Sequence, residues 1–177
     1  PTHAVNYGVL AASASSPGFL RRDYNTGYFE DNVSWFNSRS PSDTSFTTDI
    51  DIGTTLNDLE IDNYSIQWTG YFIPTINGNY RFRTTSDDAS YMWIGLEAIS
   101  GFTTLNAIVN NGNYHGDNIV VSDVFHLTDS YAYPIRVQYG EAGGGATMYA
   151  EFYSDGGNTW NHFTNQCFRI SSTPEGY

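Results

Sequence analysis

The sequence predicts an all-β fold, an antiparallel β-sandwich wrapped by a loop-rich N-terminal region. Aromatic residues make up 16% of the chain and charged residues only 15%, and an aromatic-rich composition favours strands over helices. Short segments with alternating apolar and polar residues are separated by turn residues, as is typical of a sandwich. A length of 177 residues with 40% hydrophobic residues is enough for one core, so residues 1–177 are expected to form a single domain.

The chain is strongly acidic, which restricts its partners. Seven Lys and Arg residues oppose 19 Asp and Glu residues, giving a formal net charge of −12. Nucleic acids and anionic membrane surfaces are bound by clustered basic residues, so neither is expected as a partner. Cations and neutral polar ligands remain as candidates. No segment approaches the roughly 20 apolar residues that span a bilayer, so no membrane insertion is expected.

The clearest strand pattern begins at Ser65. The first 63 residues have weak periodicity, which predicts loops and short edge strands around a sheet. Residues 66–72 alternate as in a half-buried strand, and Asn77-Gly78 then provides a tight turn before residues 80–84 resume the alternation. This pattern predicts a hairpin. The continuous apolar run 91–95 predicts a central strand of the sandwich.

Two later strands flank a glycine-rich connection. Residues 135–139 and 148–152 alternate, and Gly140-Glu141-Ala142-Gly143-Gly144-Gly145 lies between them. A simple hairpin would place the turn at 154–158, and with it Trp160, at the end of the sheet opposite the glycine-rich connection. By the same reasoning, Asp87-Asp88 and Asn77-Gly78 are expected at opposite ends of their strand.

Asp87-Asp88 is the sharpest candidate for chemistry. Neighbouring side chains of a strand point to opposite faces, so two adjacent carboxylates bind one ion only where the backbone between them is bent or unusual, for example cis. Hard oxygen ligands in an acidic protein of extracellular character indicate Ca²⁺. The alternative interpretation is an acidic turn between two strands.

The glycine-rich connection is the second candidate. Glycines allow backbone carbonyls to turn toward an ion, and Glu141 adds a charged oxygen. A phosphate-binding loop is not predicted, because no Lys and no helix start follow. The alternative interpretation is a plain flexible loop.

The sequence does not predict an enzyme. No metalloprotease, serine-hydrolase or dithiol motif is present, and the four histidines are scattered. A glycosidase needs two carboxylates roughly 5 Å or more apart across the scissile bond, a poor match for adjacent Asp87 and Asp88. His115 is interpreted as a loop residue that could hydrogen-bond a sugar.

The remaining motifs are a single cysteine and two triplets that could be N-glycosylated. The single Cys167 has no partner within the sequence, so it is either buried and reduced or paired with a cysteine outside these residues, and the extracellular character favours the second. The triplets Asn32-Val33-Ser34 and Asn63-Tyr64-Ser65 are compatible with secretion.

Four motifs in a fixed order resemble a known family. They are Gly-Tyr-Phe-Ile-Pro at 70–74, Gly-Asn-Tyr-Arg-Phe-Arg at 78–83, Ser-Asp-Asp-Ala-Ser-Tyr-Met-Trp-Ile-Gly at 86–95, and Tyr-Pro-Ile-Arg-Val-Gln-Tyr at 133–139. Together they resemble the PA14-like lectin domains of yeast cell-wall adhesins. Within these domains the sequence is most similar to the GLEYA branch, which is related to flocculins and epithelial adhesins. The similarity covers roughly residues 20 to 170.

The resemblance implies a calcium-dependent carbohydrate-binding domain. In that family an Asp-Asp pair joined by a cis peptide binds Ca²⁺ and contacts the sugar, and a second loop completes the ion shell. Two vicinal sugar hydroxyls then replace water on the ion. On this chain, the implied metal ligands are Asp87, Asp88, Glu141, Gly143 and Gly145. The expected carbohydrate-binding residues are Asp87, Asp88, Gly144, Tyr114 and His115, with Tyr114 stacking on the sugar ring.

Departures from the flocculin pattern affect the expected sugar. Glu141 stands where flocculins carry Asn, and glycines at 143–145 replace bulkier residues that include a Trp. Terminal N-acetylglucosamine and galactose are therefore ranked above mannose. The expected partners are cell-surface glycans, the expected location is secreted or on the cell wall, and the domain is expected to be a monomer.

The sequence leaves three other functions open. The domain could be a carbohydrate-binding module of a glycosidase or toxin without catalysis of its own. It could be a hydrolase that uses Asp87 or Asp88 as acid or nucleophile. It could also be a structural or protein-binding β-domain that binds neither metal nor glycan.

Overall fold

The computed structural model describes residues 2–5, 8–10, 14–52, 61–164 and 166–170. Within these ranges the chain is almost entirely β-structure, with one short helix, α1 (Leu96–Ile99), and one 3₁₀ turn (Trp35–Ser38). The strands are β1 (Thr2–Ala4), β2 (Val9–Leu10), β3 (Ala14–Pro17), β4 (Phe19–Tyr24), β5 (Asp43–Thr47), β6 (Tyr64–Phe72), β7 (Gly78–Asp87), β8 (Ala89–Ile94), β9 (Val109–Asn111), β10 (Asn118–Val121), β11 (Val124–Leu127), β12 (Tyr131–Glu141), β13 (Thr147–Ser154), β14 (Asn161–His162) and β15 (Cys167–Ile170).

The strands form two sheets, which confirms the predicted β-sandwich. The smaller sheet has the order β1-β11-β7-β13-β14, with β10 also paired to β7. The larger sheet has the order β3-β15-β6-β12-β8-β9; in addition, β4 pairs with both β5 and β6, and β2 pairs with β12. Among the described strands, β1 and β11 pair in parallel and the other pairs are antiparallel.

The two predicted hairpins are wrong, because the strands of each pair lie in different sheets. The strand β6 pairs with β12, β4 and β15, whereas β7 pairs with β13, β10 and β11. The turn at Asn77-Gly78 therefore passes from one sheet to the other. The glycine-rich connection likewise leads from β12 in the larger sheet to β13 in the smaller one. Turn chemistry shows where a strand ends but does not show which strand becomes its neighbour.

The core between the sheets is largely aromatic. The Phe82 and Phe163 rings stack at 6.3 Å, and Phe72 contacts both of them edge-on. Trp68, Phe72, Phe82 and Phe163 have no exposed surface. Burying large aromatic side chains supplies much of the favourable free energy of folding.

The outer face of the larger sheet is also buried, by a second core beside β8 and by polar side chains along β6 and β12, so β6 is not half-buried as predicted. All nine residues of β6 and all six of β8 are buried. The second core packs the segment 24–36 against β8 through Tyr24, Phe29, Val33, Trp35, Phe36, Ala89, Tyr91, Trp93 and Ala98. Elsewhere on this sheet the buried polar side chains bond to one another, and Arg136 donates to Gln67 Oε1 and to the carbonyl oxygen of Ala98.

The N-terminal region contains the wrapping segment 24–36 but not only edge strands. The strand β4 lies between β5 and β6, so it is an interior strand of the larger sheet and the expectation of edge strands is wrong for it. The backbone of Cys167 pairs with Phe72 in β15, while the state of its side chain stays a prediction. Both Asn32 and Asn63 are exposed. No helix in the described ranges is long and apolar enough to cross a membrane.

Candidate functional site

Two connections between the sheets meet at the same end of the sandwich. The first is the step from β7 to β8 at Asp87-Asp88, and the second is the glycine-rich connection between β12 and β13. Asp87 pairs with Thr147 at the start of β13, and Ala89 pairs with Gly140 near the end of β12. This register places the two connections side by side. As predicted, Asn77-Gly78 lies at the opposite end of β7.

Three carboxylates converge where the connections meet, and we call Asp87, Asp88 and Glu141 the acidic cluster. The peptide bond between Asp87 and Asp88 is cis, as the resemblance implies. Each residue offers one carboxylate oxygen, and these three oxygens lie within 4.8 Å of one another. Asp88 is 1% exposed and Glu141 is 0% exposed, whereas Asp87 is half-buried. The cluster thus has a buried floor and opens to solvent at Asp87.

Backbone amides and one hydroxyl orient the acidic cluster. The amide of His115 donates to Asp88 Oδ1 at 3.0 Å, and the amide of Ala142 donates to Asp88 Oδ2 at 2.9 Å. The Tyr139 hydroxyl donates to the carbonyl oxygen of Asp87 at 2.7 Å and lies 3.3 Å from Glu141 Oε2. Each of these bonds leaves further acceptor capacity on the carboxylates.

The electrostatics of the acidic cluster favour a cation. Burial, reinforced by Asp88 and Asp87, raises the pKa of Glu141 to about 8. Burial also raises the pKa of Asp87, with further contributions from the charges of Asp88 and Asp117. Glu141 Oε1 is buried and accepts no hydrogen bond from the described residues. Three close carboxylates with an unpartnered buried oxygen form a donor set that fits Ca²⁺.

The glycine-rich connection lies beside the acidic cluster, and its backbone comes close to the Asp87 carboxylate. A Cβ atom at Gly145 would stand 3.2 Å from Asp87 Oδ2, so a side chain there would crowd this oxygen. Gly144 has a φ of +104°, and a Cβ on it would meet open space. The amide of Gly143 lies near Glu141 and lowers its pKa, and the carbonyl oxygen of Gly143 accepts from the Tyr114 hydroxyl at 3.3 Å.

The loop between β9 and β10 forms the other wall of the site. Tyr114 is 69% exposed, and its hydroxyl reaches across to the glycine-rich connection. The His115 ring lies against the backbone, with Nδ1 2.7 Å from the carbonyl oxygen of Gly116 and Nε2 3.2 Å from that of Asn111. The structure therefore places the side chains or backbone of Tyr114, His115, Gly143, Gly144 and Gly145 around the acidic cluster, while their roles as ligands stay predictions.

Sequence reasoning missed three residues that shape this end of the molecule. Asp31 accepts bonds from the Asn113 amide at 3.1 and 3.0 Å, and Asp62 accepts from the Gly144 amide at 3.2 Å. For Tyr139, the alternation along 135–139 predicts only a strand position. Asp31 and Asp62 lie far from these partners along the chain, so no local pattern could reveal the contacts. The hydroxyl of Tyr139 was detectable only as a polar group on an inward-facing strand position.

The two-sheet topology, with the acidic cluster at the end where the chain crosses between the sheets, is that of a PA14-like domain. The model of the GLEYA domain family matches residues 64–154, and the chain belongs to that family. No curated protein matches the sequence.

Solved structures share the whole fold at low sequence identity. The epithelial adhesin 9 A domain of Candida glabrata, solved with Galβ1-4GlcNAc, is 15% identical with a TM-score of 0.69, over 100% of this chain and 99% of that one. A PA14 sugar-binding domain from an RTX adhesin is 16% identical with a TM-score of 0.67, over 88% and 99%. An anti-sigma factor domain-containing protein from Clostridium clariflavum is 17% identical with a TM-score of 0.64. That match covers 96% of this chain, which spans only 51% of the clostridial one.

Proposed function

We propose that this chain is a calcium-dependent carbohydrate-binding domain of a fungal cell-surface adhesin. The observation that carries the proposal is the acidic cluster, in which three carboxylate oxygens lie within 4.8 Å of one another at the solvent-open end of a GLEYA-family sandwich. Unpaired carboxylates this close repel one another, and a divalent cation would remove the repulsion.

The metal ligands are assigned to Asp87, Asp88 and Glu141, together with backbone carbonyls of Gly143 and Gly145. The unpartnered Oε1 of Glu141 supports its assignment, because a buried carboxylate oxygen without a donor is unfavourable. When bound, Ca²⁺ supplies open coordination positions that two vicinal sugar hydroxyls can occupy in place of water.

The sugar is assigned to the space between the β9–β10 loop and the glycine-rich connection. Free lone pairs of Asp87 and Asp88 accept hydrogen bonds from sugar hydroxyls, and the backbone at Gly144 approaches the ring closely because no side chain intervenes. The exposed Tyr114 packs on the apolar face of the ring, and His115 supplies a polar contact.

The ligands are proposed to be cell-surface glycans with terminal N-acetylglucosamine or galactose, ranked above mannose. The adhesin 9 domain of Candida glabrata was solved with Galβ1-4GlcNAc, a disaccharide whose terminal sugar is galactose. The open space at Gly144 agrees with a site that lacks an aromatic wall at this position.

We further propose that the domain is a monomer that binds without catalysing a reaction, secreted or held on the cell wall. Small polar sites of this kind bind weakly, and adhesion then arises from many copies that act together. In this mechanism Asp87 and Asp88 bind calcium and sugar hydroxyls, and neither acts as the acid or nucleophile of a hydrolase.

The test is a glycan array probed with Ca²⁺ and with EDTA, using the wild-type domain and Asp87→Ala. Asp155→Ala is the matched control, because Asp155 is an exposed acid at the opposite end of β13. We expect glycan binding to be lost in EDTA and in Asp87→Ala and retained in Asp155→Ala. Binding that persists without calcium would disprove the role of the acidic cluster. The absence of binding to any glycan would favour a structural domain.

A further inference from the structure

Asp31 lies outside the acidic cluster, yet it holds the loop that carries Tyr114 and His115. Both carboxylate oxygens of Asp31 accept the Asn113 amide, at 3.1 Å from Oδ1 and 3.0 Å from Oδ2. Asn113 has a φ of +77°, a left-handed conformation that an Asn adopts more readily than most residues. A charge-assisted bond to the amide stabilises the turn in this conformation.

The carboxylate of Asp31 is itself held in place by a residue of β8. The Tyr91 hydroxyl donates to Asp31 Oδ1 at 2.8 Å, and the Tyr91 ring is buried in β8, where it stacks on Trp93. A Cβ atom at Gly112 would collide with the Tyr91 hydroxyl, so the glycine leaves room for this contact. A rigid strand thus supports Asp31, and Asp31 in turn supports the loop.

Three consecutive residues of the loop are anchored to three separate parts of the molecule. Asn113 is held by Asp31, the Tyr114 hydroxyl bonds the carbonyl oxygen of Gly143, and the His115 amide bonds Asp88. The second and third anchors belong to the proposed site. The anchor at Asp31 comes from the N-terminal wrapping segment, so it can be removed without deleting a proposed ligand of the metal or the sugar.

We propose that Asp31 is a positioning residue for sugar recognition. It fixes residues 113–115 so that Tyr114 stands across the glycine-rich connection, and it thereby sets the affinity for glycan without taking part in calcium binding. This inference rests on the proposed function and identifies a residue that determines how one wall of that site is held. A loop that is ordered before binding loses less conformational entropy when the sugar arrives.

The test compares wild-type protein with Asp31→Asn, which keeps the size of the side chain but turns one acceptor oxygen into a donor. Tyr91→Phe is the second variant, because it removes the hydroxyl that fixes Asp31 and keeps the buried ring. Asp129→Asn, an exposed acid elsewhere, is the control for the change in charge. Three quantities are measured: exchange of the Asn113 amide by NMR, calcium affinity by calorimetry, and affinity at saturating calcium for the best glycan of the array.

We expect the Asn113 amide of Asp31→Asn to exchange faster and the glycan affinity to fall about tenfold, since charge-assisted hydrogen bonds are lost. Calcium affinity, measured at physiological ionic strength, should stay within about twofold, because Asp31 is not a ligand and salt screens the long-range attraction of its charge. Tyr91→Phe should change the same two quantities in the same direction by less, and Asp129→Asn should change none of them. Unaltered exchange of Asn113, or parallel loss of calcium and glycan affinity, would overturn the inference.

The amide exchange separates this inference from the proposed function. If wild-type protein bound calcium but no glycan, the lectin proposal would fail, while faster exchange of Asn113 in Asp31→Asn would still show that Asp31 orders the loop. If glycan binding were present and both the exchange and the glycan affinity were unchanged in Asp31→Asn, the lectin proposal would stand and the role of Asp31 would be wrong.

Discussion

Glu141 is a buried acid with a strongly raised pKa. Its side chain is fully buried, it faces Asp87 and Asp88, and the pKa of its carboxyl is raised to about 8. The Gly143 amide and the Tyr139 hydroxyl lower this pKa, but by less than burial and the two aspartates raise it. Near neutral pH the metal-free protein therefore keeps a proton on Glu141 that an unfolded chain, with an ordinary value of 4.5, would release.

This difference predicts how Glu141→Gln changes stability with pH in EDTA. A carboxyl whose pKa is higher in the folded state binds more protons there, so stability falls as pH rises from about 4.5 to about 8. The Gln variant cannot ionise at this position, and its stability should decline less over the same range. Urea midpoints from pH 5 to pH 8.5 measure the effect. Parallel plots of urea midpoint against pH for the two proteins would contradict the prediction. The calcium affinity of Glu141→Gln should also be lower than that of the wild type.

At the level of elements, the strand β12 joins the core to the site. Gly140 lies one residue before Glu141, and a Cβ at this position would stand 2.5 Å from Phe29 Cδ1 and 2.7 Å from Tyr28 Cδ2. The wrapping segment therefore packs directly on the backbone of β12. This close approach connects the second core to the position of Glu141.

Gly140→Ala should therefore destabilise the protein by about 1–3 kcal/mol, the usual cost of overpacking a well-packed core. Gly78→Ala is the matched control, because a Cβ at Gly78 meets nothing within 4 Å. Chemical denaturation of both variants tests the prediction. An equal effect of the two substitutions would show that Phe29 and Tyr28 move aside without cost.

The sequence was sufficient to predict the strands with a clear apolar pattern but not their partners. Alternation along 66–72 and 135–139 reveals strands because it reflects local side-chain direction. The pairing of β6 with β12 joins residues about 70 positions apart, from Phe72–Tyr133 to Tyr64–Glu141, which no local pattern encodes. The same limit applies to the site. Asp87 and Asp88 can be found from the sequence because they form a motif, whereas Asp31 cannot, because its contact with Asn113 forms only in the folded chain.

Over the whole molecule, the negative charge of −12 is partly concentrated at one end. The acidic cluster, Asp31, Asp62 and Asp117 all lie around the site, as their contacts and their effects on neighbouring pKa values show. Such a concentration of like charge opposes the folded state and attracts cations. A ligand that binds only the folded state stabilises it by mass action.

Calcium should therefore raise the melting temperature of the domain. At a concentration about 100 times the Kd, stabilisation of about 2.7 kcal/mol is expected, which corresponds to roughly 5–10 °C for a domain of this size. Differential scanning fluorimetry with Ca²⁺, Mg²⁺ or EDTA measures the shift. Mg²⁺ should have a smaller effect because it keeps its water shell. Asp87→Ala should show little shift, and a shift equal to that of the wild type would place the ion elsewhere.

The acidic cluster draws its members from both layers of the sandwich, because Asp87 ends β7 in the smaller sheet and Glu141 ends β12 in the larger one. A pulling force applied to anything held between these residues is divided between the two layers, each secured by its own ladder of backbone hydrogen bonds. Such a force would be resisted by the hydrogen bonds within both sheets and by the aromatic core between them. A load on a ligand bound at this end would therefore be borne by the whole sandwich rather than by one sheet.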